Sequence, residues 1–111
     1  MSIKVSHVGP VSVLELNGKL MGGDETKEVR DEVAKLVKDG HTKIVLDLGN
    51  IKWMNSSGLG AIVSCLNTVK DAGGAMKLVR VEQKIESLLV VTQLIKVFEC
   101  HKSVDDAVNS F

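Results

Sequence analysis

The run Lys43-Ile44-Val45-Leu46-Asp47-Leu48 constrains the fold more than any other segment of this chain. It is almost continuously apolar and β-branched at its centre, whereas a strand with one wet face alternates apolar and polar residues. Such a strand has to be covered on both faces, so further layers of structure must lie above and below it.

The flanking patterns supply those layers. Ile3 and Val5, then Val11, Val13, Leu14 and Leu16, read as two short strands joined at Gly9-Pro10. Gly22-Gly23 ends the extended region, and Asp24 stands where a helix N-cap is expected. From Glu25 to Asp39, Val29, Val33, Leu36 and Val37 form one apolar helical stripe, with Gly40 as its stop. A second helix spans Ser56 to Asp71, with Leu59, Ile62, Val63, Leu66 and Val69 on one face and Gly73-Gly74 at its end. Met76 to Val81 reads as a strand, Gln83 to Thr92 as a helix and Val97-Phe98 as a short final strand. Ser103 caps a last helix whose buried face is Val104, Ala107, Val108 and Phe111. Strands joined by crossover helices pair in parallel, and the opening β-β pair makes the sheet mixed. The expectation is one α/β domain over residues 1–111, with about four to five strands and about four helices.

Composition removes several function classes. Fourteen basic residues balance fourteen acidic ones, so the whole domain carries no electrostatic footprint for nucleic acid or an anionic membrane. Aromatic residues are limited to Trp53, Phe98 and Phe111, too few for base-stacking platforms. No apolar run approaches the roughly 20 residues that a membrane helix needs. Met1 to Val8 alternates polar and apolar residues and lacks a signal-peptide core, so a soluble, cytoplasmic protein is expected, with no direct membrane insertion. Cys65 and Cys100 lack CxxC spacing and read as two thiols. His7, His41 and His101 are scattered, and no metal or cofactor is expected on this chain.

The most informative stretch runs Asp47-Leu48-Gly49-Asn50-Ile51-Lys52-Trp53-Met54-Asn55-Ser56-Ser57-Gly58-Leu59-Gly60. Here the central strand is expected to end, a short loop to follow, and two serines to open a helix at the edge where open α/β sheets carry function. The segment resembles the signature of the STAS domain, the family named for sulfate transporters and anti-sigma-factor antagonists. That signature is a strand ending in Asp-Leu, an apolar pair, then Asp-Ser-Ser-Gly-Leu-Gly. The likeness extends through Gly18-Lys19-Leu20, Gly40, Gly73-Gly74 and Leu88-Leu89 to Phe98, essentially the whole chain.

The resemblance implies a bacterial, non-enzymatic switch in transcription regulation. Unphosphorylated, it would bind an anti-sigma factor that is itself a serine kinase and so free a sigma factor. The kinase, with its own ATP, would phosphorylate Ser57 and be released, and a phosphoserine phosphatase would reset the chain. The partner-binding residues implied are Trp53, Met54, Asn55, Ser56, Ser57, Gly58, Leu59 and Gly60. The alternative is a cytoplasmic STAS subunit of a membrane lipid or anion transport complex, packed on an ATPase without phosphorylation. Two positions depart from the family pattern: Asn55 stands for the Asp before the serine pair, and Met21 for an Asp three residues after Gly18.

Plainer roles stand beside these. Ser56 and Ser57 could serve only as caps, since serine is common at helix starts for structural reasons. Trp53 and Met54 form an exposed patch, or one of them faces the core. Asp47 is as well suited to a structural hydrogen bond as to function. Gly58-Leu59-Gly60 lacks the Lys-Ser/Thr ending of a P-loop, and Asn55–Gly60 does not spell the G-x-S-x-G of a hydrolase elbow.

Overall fold

A computed structural model describes residues 2–111. Its elements are β1 (Ser2–Val8), β2 (Val11–Leu20), α1 (Asp24–Lys38), β3 (Lys43–Met54), α2 (Ser56–Asp71), β4 (Ala75–Val79), α3 (Gln83–Val91), β5 (Glu99–His101) and α4 (Val104–Asn109), with a 3₁₀ turn at Leu94–Lys96. The five strands form one sheet in chain order, β1-β2-β3-β4-β5. β1 and β2 pair antiparallel, while β2–β3, β3–β4 and β4–β5 pair in parallel. The mixed α/β sheet expected from the sequence is what forms.

β3 is buried on both faces, as its composition requires. Ile44, Leu46 and Leu48 join Leu14, Leu16, Met76 and Leu78 in the main core. Val29, Val33 and Leu36 of α1, Ile62, Cys65, Leu66 and Val69 of α2, and Ile85 and Leu89 of α3 cover that side. On the opposite face Val11, Val13, Val45 and Val79 pack against Ala107 of α4, with Val104, Val108 and Phe111 partly buried around it. Each fully buried aliphatic side chain contributes about 1.5–3 kcal/mol, so the larger face supplies most of the stability.

Three local readings are corrected. The central strand does not end at Leu48. β3 runs twelve residues to Met54, because β2 also continues to Leu20 and the parallel ladder persists through two register shifts, pairing Gly18 with Ile51 and Leu20 with Met54. Gly49-Asn50 looks like a loop in sequence, yet the ladder carries straight across it. The last strand is Glu99–His101 rather than Val97-Phe98; Phe98 is instead a buried core residue. Asp24 is the first residue of α1 rather than its cap. Gly23 holds the cap position without a side-chain cap, and its carbonyl accepts from Thr26 Oγ1 at 2.9 Å.

Candidate functional site

In parallel β-α units the strand-to-helix junctions all fall on one sheet edge. The β2–α1 and β3–α2 junctions therefore become neighbours, and the structure fastens them together at Asn55. The Asn55 backbone N–H donates to the Leu20 carbonyl at 3.2 Å. Its side chain caps α2, with Oδ1 accepting from the Gly58 N–H at 2.9 Å. The same amide turns its Nδ2 to the Met21 carbonyl, also at 2.9 Å. One residue thus ties the end of β2, the Met21–Gly23 turn and the first turn of α2 into a single unit.

Close packing reinforces the unit. A Cβ at Gly58 would run into the Leu20 carbonyl and lie 2.8 Å from Leu20 Cβ, so only glycine fits there. Gly22 takes φ 104°, a left-handed conformation that favours glycine, and faces Ser57. A Cβ built on it would lie 3.4 Å from Ser57 Cβ and 3.9 Å from Ser57 Oγ.

On this base Ser56 and Ser57 occupy the first two positions of α2, and both are exposed. The cap is Asn55, so neither serine is needed for that task. The first turn of α2 contains no acidic residue, leaving its positive dipole end uncompensated by side-chain charge. Trp53 is 58% exposed and Met21 44%, both large apolar side chains in the segments that meet at Asn55. Lys84 of α3 places Nζ 4.8 Å from the Trp53 ring centroid, a cation–π contact. Met54 is partly buried against the main core, so of the Trp53-Met54 pair the tryptophan is the exposed member. Gly58 and Leu59 are buried and shape the site from beneath, whereas Gly60 is exposed with open space around it.

Asp47 lies outside this cluster. It pairs laterally with Glu15 and Val79, accepts the Gly49 N–H at 3.0 Å, and holds Arg80 Nε at 2.8 Å. That hydrogen bond, foremost, raises the Arg80 guanidinium above its usual range. Sequence spacing gave no sign of two further arrangements. The His7 and His41 rings approach to 5.0 Å between centroids, but no group of three metal-ligating side chains occurs among the described residues. Lys77, buried on the α4 side, meets Glu99 at 2.7 Å, and His101 meets the same carboxylate at 2.6 Å. Cys65 and Cys100 are both free thiols, and burial pushes Cys65 up to about 12. No helix among the described residues is long and apolar enough to cross a membrane.

Asn55 was singled out from the sequence, and a helix cap is a role asparagine fills well; what sequence reading missed was its clamp on the Met21 carbonyl. The available signal was the topology itself, since two successive parallel β-α units must bring their junctions together.

Comparison with known proteins places this architecture. An anti-sigma F factor antagonist of Paenibacillus polymyxa is 30% identical over 112 residues, covering 99% of this chain and 92% of that protein. A Thermotoga maritima protein assigned as an anti-sigma factor antagonist is 29% identical over 73 residues; the match covers 66% of this chain and 65% of that relative. A crystal structure of a Thermotoga maritima protein of the same assignment superposes with a TM-score of 0.89 at 25% identity, covering 97% of this chain and 92% of the other. The phosphorylated form of the Bacillus cell fate determinant SpoIIAA shares the fold, with a TM-score of 0.76 at 16% identity and coverage of 98% of each chain. The family model for the STAS domain matches residues 2–107, nearly the whole described chain, and the protein therefore belongs to the STAS domain family.

Proposed function

We propose that this chain is an anti-sigma-factor antagonist whose partner is an anti-sigma serine kinase and whose switch is phosphorylation of Ser57. The observation that carries the reading is the placement of Ser57. It is an exposed hydroxyl at the second position of α2, facing the Gly22 turn, on a base fixed by backbone packing, and Met21 and Trp53 in the segments that meet at Asn55 are exposed as well. Kinship with anti-sigma factor antagonists supports the general role.

The physical chemistry of a phosphate at this position separates folding from binding. Phosphorylation adds roughly −1.5 to −2 charges at neutral pH. The α2 dipole favours negative charge by about 0.3–1 kcal/mol, and no acidic residue in that first turn opposes it. The fold is expected to tolerate the modification. A partner that covers Trp53, Met21 and Ser57 would have to desolvate the new charge, which costs several kcal/mol without a matching cation. ATP belongs to the partner in this scheme, and a phosphatase restores the hydroxyl.

The test uses wild-type, Ser57→Ala and Ser57→Asp chains as parallel baits in source lysate, with captured proteins identified by mass spectrometry. Wild type should retain an ATP-binding serine kinase that phosphorylates it but not Ser57→Ala, and Ser57→Asp should lose that kinase. Retention of a transporter ATPase or permease by every bait would instead assign the chain to a transport complex and remove the switch.

A further inference from the structure

His7 and His41 stand far apart in sequence, with no ligand spacing to announce a site, yet they meet at the end of the sheet opposite Ser57. His7 lies on β1, where the ladder pairs it with Ser12 of β2. Ser12 in turn pairs with Ile44 at the start of β3. His41 leads into that same strand from the turn after α1. Its backbone N–H donates to the Leu36 carbonyl at 2.8 Å, and the Gly40 N–H donates to Val37 at 3.0 Å. These bonds close the helix end and fix the backbone that carries the second imidazole. A strand ladder and a helix end thus bring the two rings to 5.0 Å between centroids, tilted by 36°. His7 is exposed and His41 half-buried, so both stay open to ions in solution.

That separation can be compared with what a shared ion requires. Divalent zinc sits about 2.0–2.1 Å from an imidazole nitrogen, which lies about 1.1 Å from its own ring centroid. Two rings on one tetrahedral ion then have centroids about 5.2 Å apart, and two at a right angle about 4.5 Å. The observed 5.0 Å falls between these values. Aromatic contact alone permits the same distance, but the His7 ring is also oriented from behind. Ser12 is fully buried, and its Oγ lies 3.1 Å from His7 Nδ1. Histidines that ligate metals nearly always donate their other ring N–H to such a partner, which sets the tautomer. With Nδ1–H given to Ser12, the lone pair of Nε2 is the one left for a cation.

The geometry points to a divalent transition-metal site of the Zn²⁺ class at His7 and His41, with Ser12 as the positioning residue for His7. Imidazole ligands suit zinc, copper and nickel, whereas magnesium and calcium take oxygen. Two protein ligands leave further positions to water, so the ion exchanges readily, unlike one in a closed four-ligand structural site. Bound there, it clips β1, an outer strand of the sheet, to the entry of β3. The site lies at the far end of β3 from Ser57, so it does not rest on the switch reading.

The test titrates Zn²⁺ into tag-free protein at about pH 7.5, where an imidazole of ordinary pKa, about 6.5, is mostly neutral. Three histidines give three sets of ring NMR signals, so His101 serves as an internal control. The His7 and His41 signals should move together along one saturation curve while His101 stays near its starting position. His7→Gln and His41→Gln should each abolish the shift of the remaining partner, with amide spectra checking that the fold is kept. Ser12→Ala should weaken Zn²⁺ binding about tenfold while both rings still respond. Saturating Zn²⁺ should slow amide exchange of His7 and its β1 neighbours in wild type and in neither histidine variant. The site is overturned if one ring responds without the other, if the response centres on His101, or if neither ring moves at millimolar Zn²⁺. Unchanged affinity in Ser12→Ala overturns the positioning role of that hydroxyl.

Discussion

Gly58 and Gly60 both lie near the start of α2, yet alanine should act on them in opposite directions. Alanine is favoured over glycine inside a helix by about 0.8–1.0 kcal/mol. At Gly60 that gain is unopposed, because a Cβ there meets nothing within 4 Å. At Gly58 the new carbon would lie 2.7 Å from the Leu20 carbonyl carbon and 2.8 Å from Leu20 Cβ. Carbon atoms pack best at about 3.5–4.0 Å, so the end of β2 and the first turn of α2 must separate by about 1 Å. The separation stretches the Asn55 N–H bond to Leu20 and the Asn55 amide bond to Met21. Overpacking costs about 1–3 kcal/mol and each hydrogen bond about 1 kcal/mol, so after the propensity gain Gly58→Ala is destabilised by about 2–4 kcal/mol. Equilibrium urea unfolding with an unchanged m-value measures the difference. At roughly 4 °C per kcal/mol, Tm should fall by about 8–16 °C for Gly58→Ala and rise by about 3–4 °C for Gly60→Ala. A neutral Gly58→Ala would refute the argument that this glycine exists for the backbone approach of β2.

Three other outcomes test separate parts of the structure. Gly49→Ala should cost less than Gly58→Ala, about 0.5–1.5 kcal/mol, because its Cβ would meet the flexible Arg80 guanidinium at 2.5 Å and the main loss is the Arg80–Asp47 bond; urea unfolding reads it. Glu99 is held down to about 2, first by its hydrogen bond to His101 and then by that to Lys77. Its folded value lies below its unfolded value of about 4.3, so the unfolded chain binds the extra proton between them, and Glu99 stabilises above that window and loses its contribution as pH falls towards about 2. Glu99→Gln should therefore flatten the fall in stability across this acid range, and an unchanged slope would count against the clasp. Finally, a thiol reagent should leave Cys65 unmodified in native protein, since that side chain is buried and its thiol is pushed up to about 12, while exposed Cys100 reacts first; simultaneous loss of both native thiols would contradict the burial.

How much of this was legible in the chain depended on whether the signal was local. The buried strand at Ile44–Leu48 and the stripes at Val29–Leu36 and Leu59–Val69 are local periodicities, and they specified the layers correctly. Gly49-Asn50 misled because turn chemistry is also local, whereas the continuation of β3 to Met54 depends on β2 extending alongside it to Leu20. Phe98 misled differently: an apolar pair beside a strand looks like part of it, but Phe98 fills the main core and Val97 stays exposed. Asp24 was displaced from the cap by the glycine before it, whose φ of 71° turns the chain into α1. The serine pair was visible as a motif, but its setting was not, because the contacts to Ser57 and Asn55 come from residues more than thirty positions away.

The two departures from the family signature acquire a common meaning from that setting. Met21 and Asn55 are the two ends of one hydrogen bond, donated by the Asn55 amide to the Met21 backbone carbonyl. The contact uses the backbone of residue 21, so it places no demand on that side chain, and Met21 is free to stand exposed. It does demand a donor at residue 55, which asparagine supplies and an ionised aspartate does not. Residues 21 and 55 therefore form one mechanical element on this chain. Asn55→Asp breaks it and Met21→Asp does not; the second substitution should leave the turn closed and alter only the charge of the surface beside Ser57. NMR shifts of Gly22 and Ser57 that stay near wild type in Met21→Asp but move in Asn55→Asp would separate the backbone clamp from the surface charge. Movement of the same size in both variants would show that local charge alone governs Ser57.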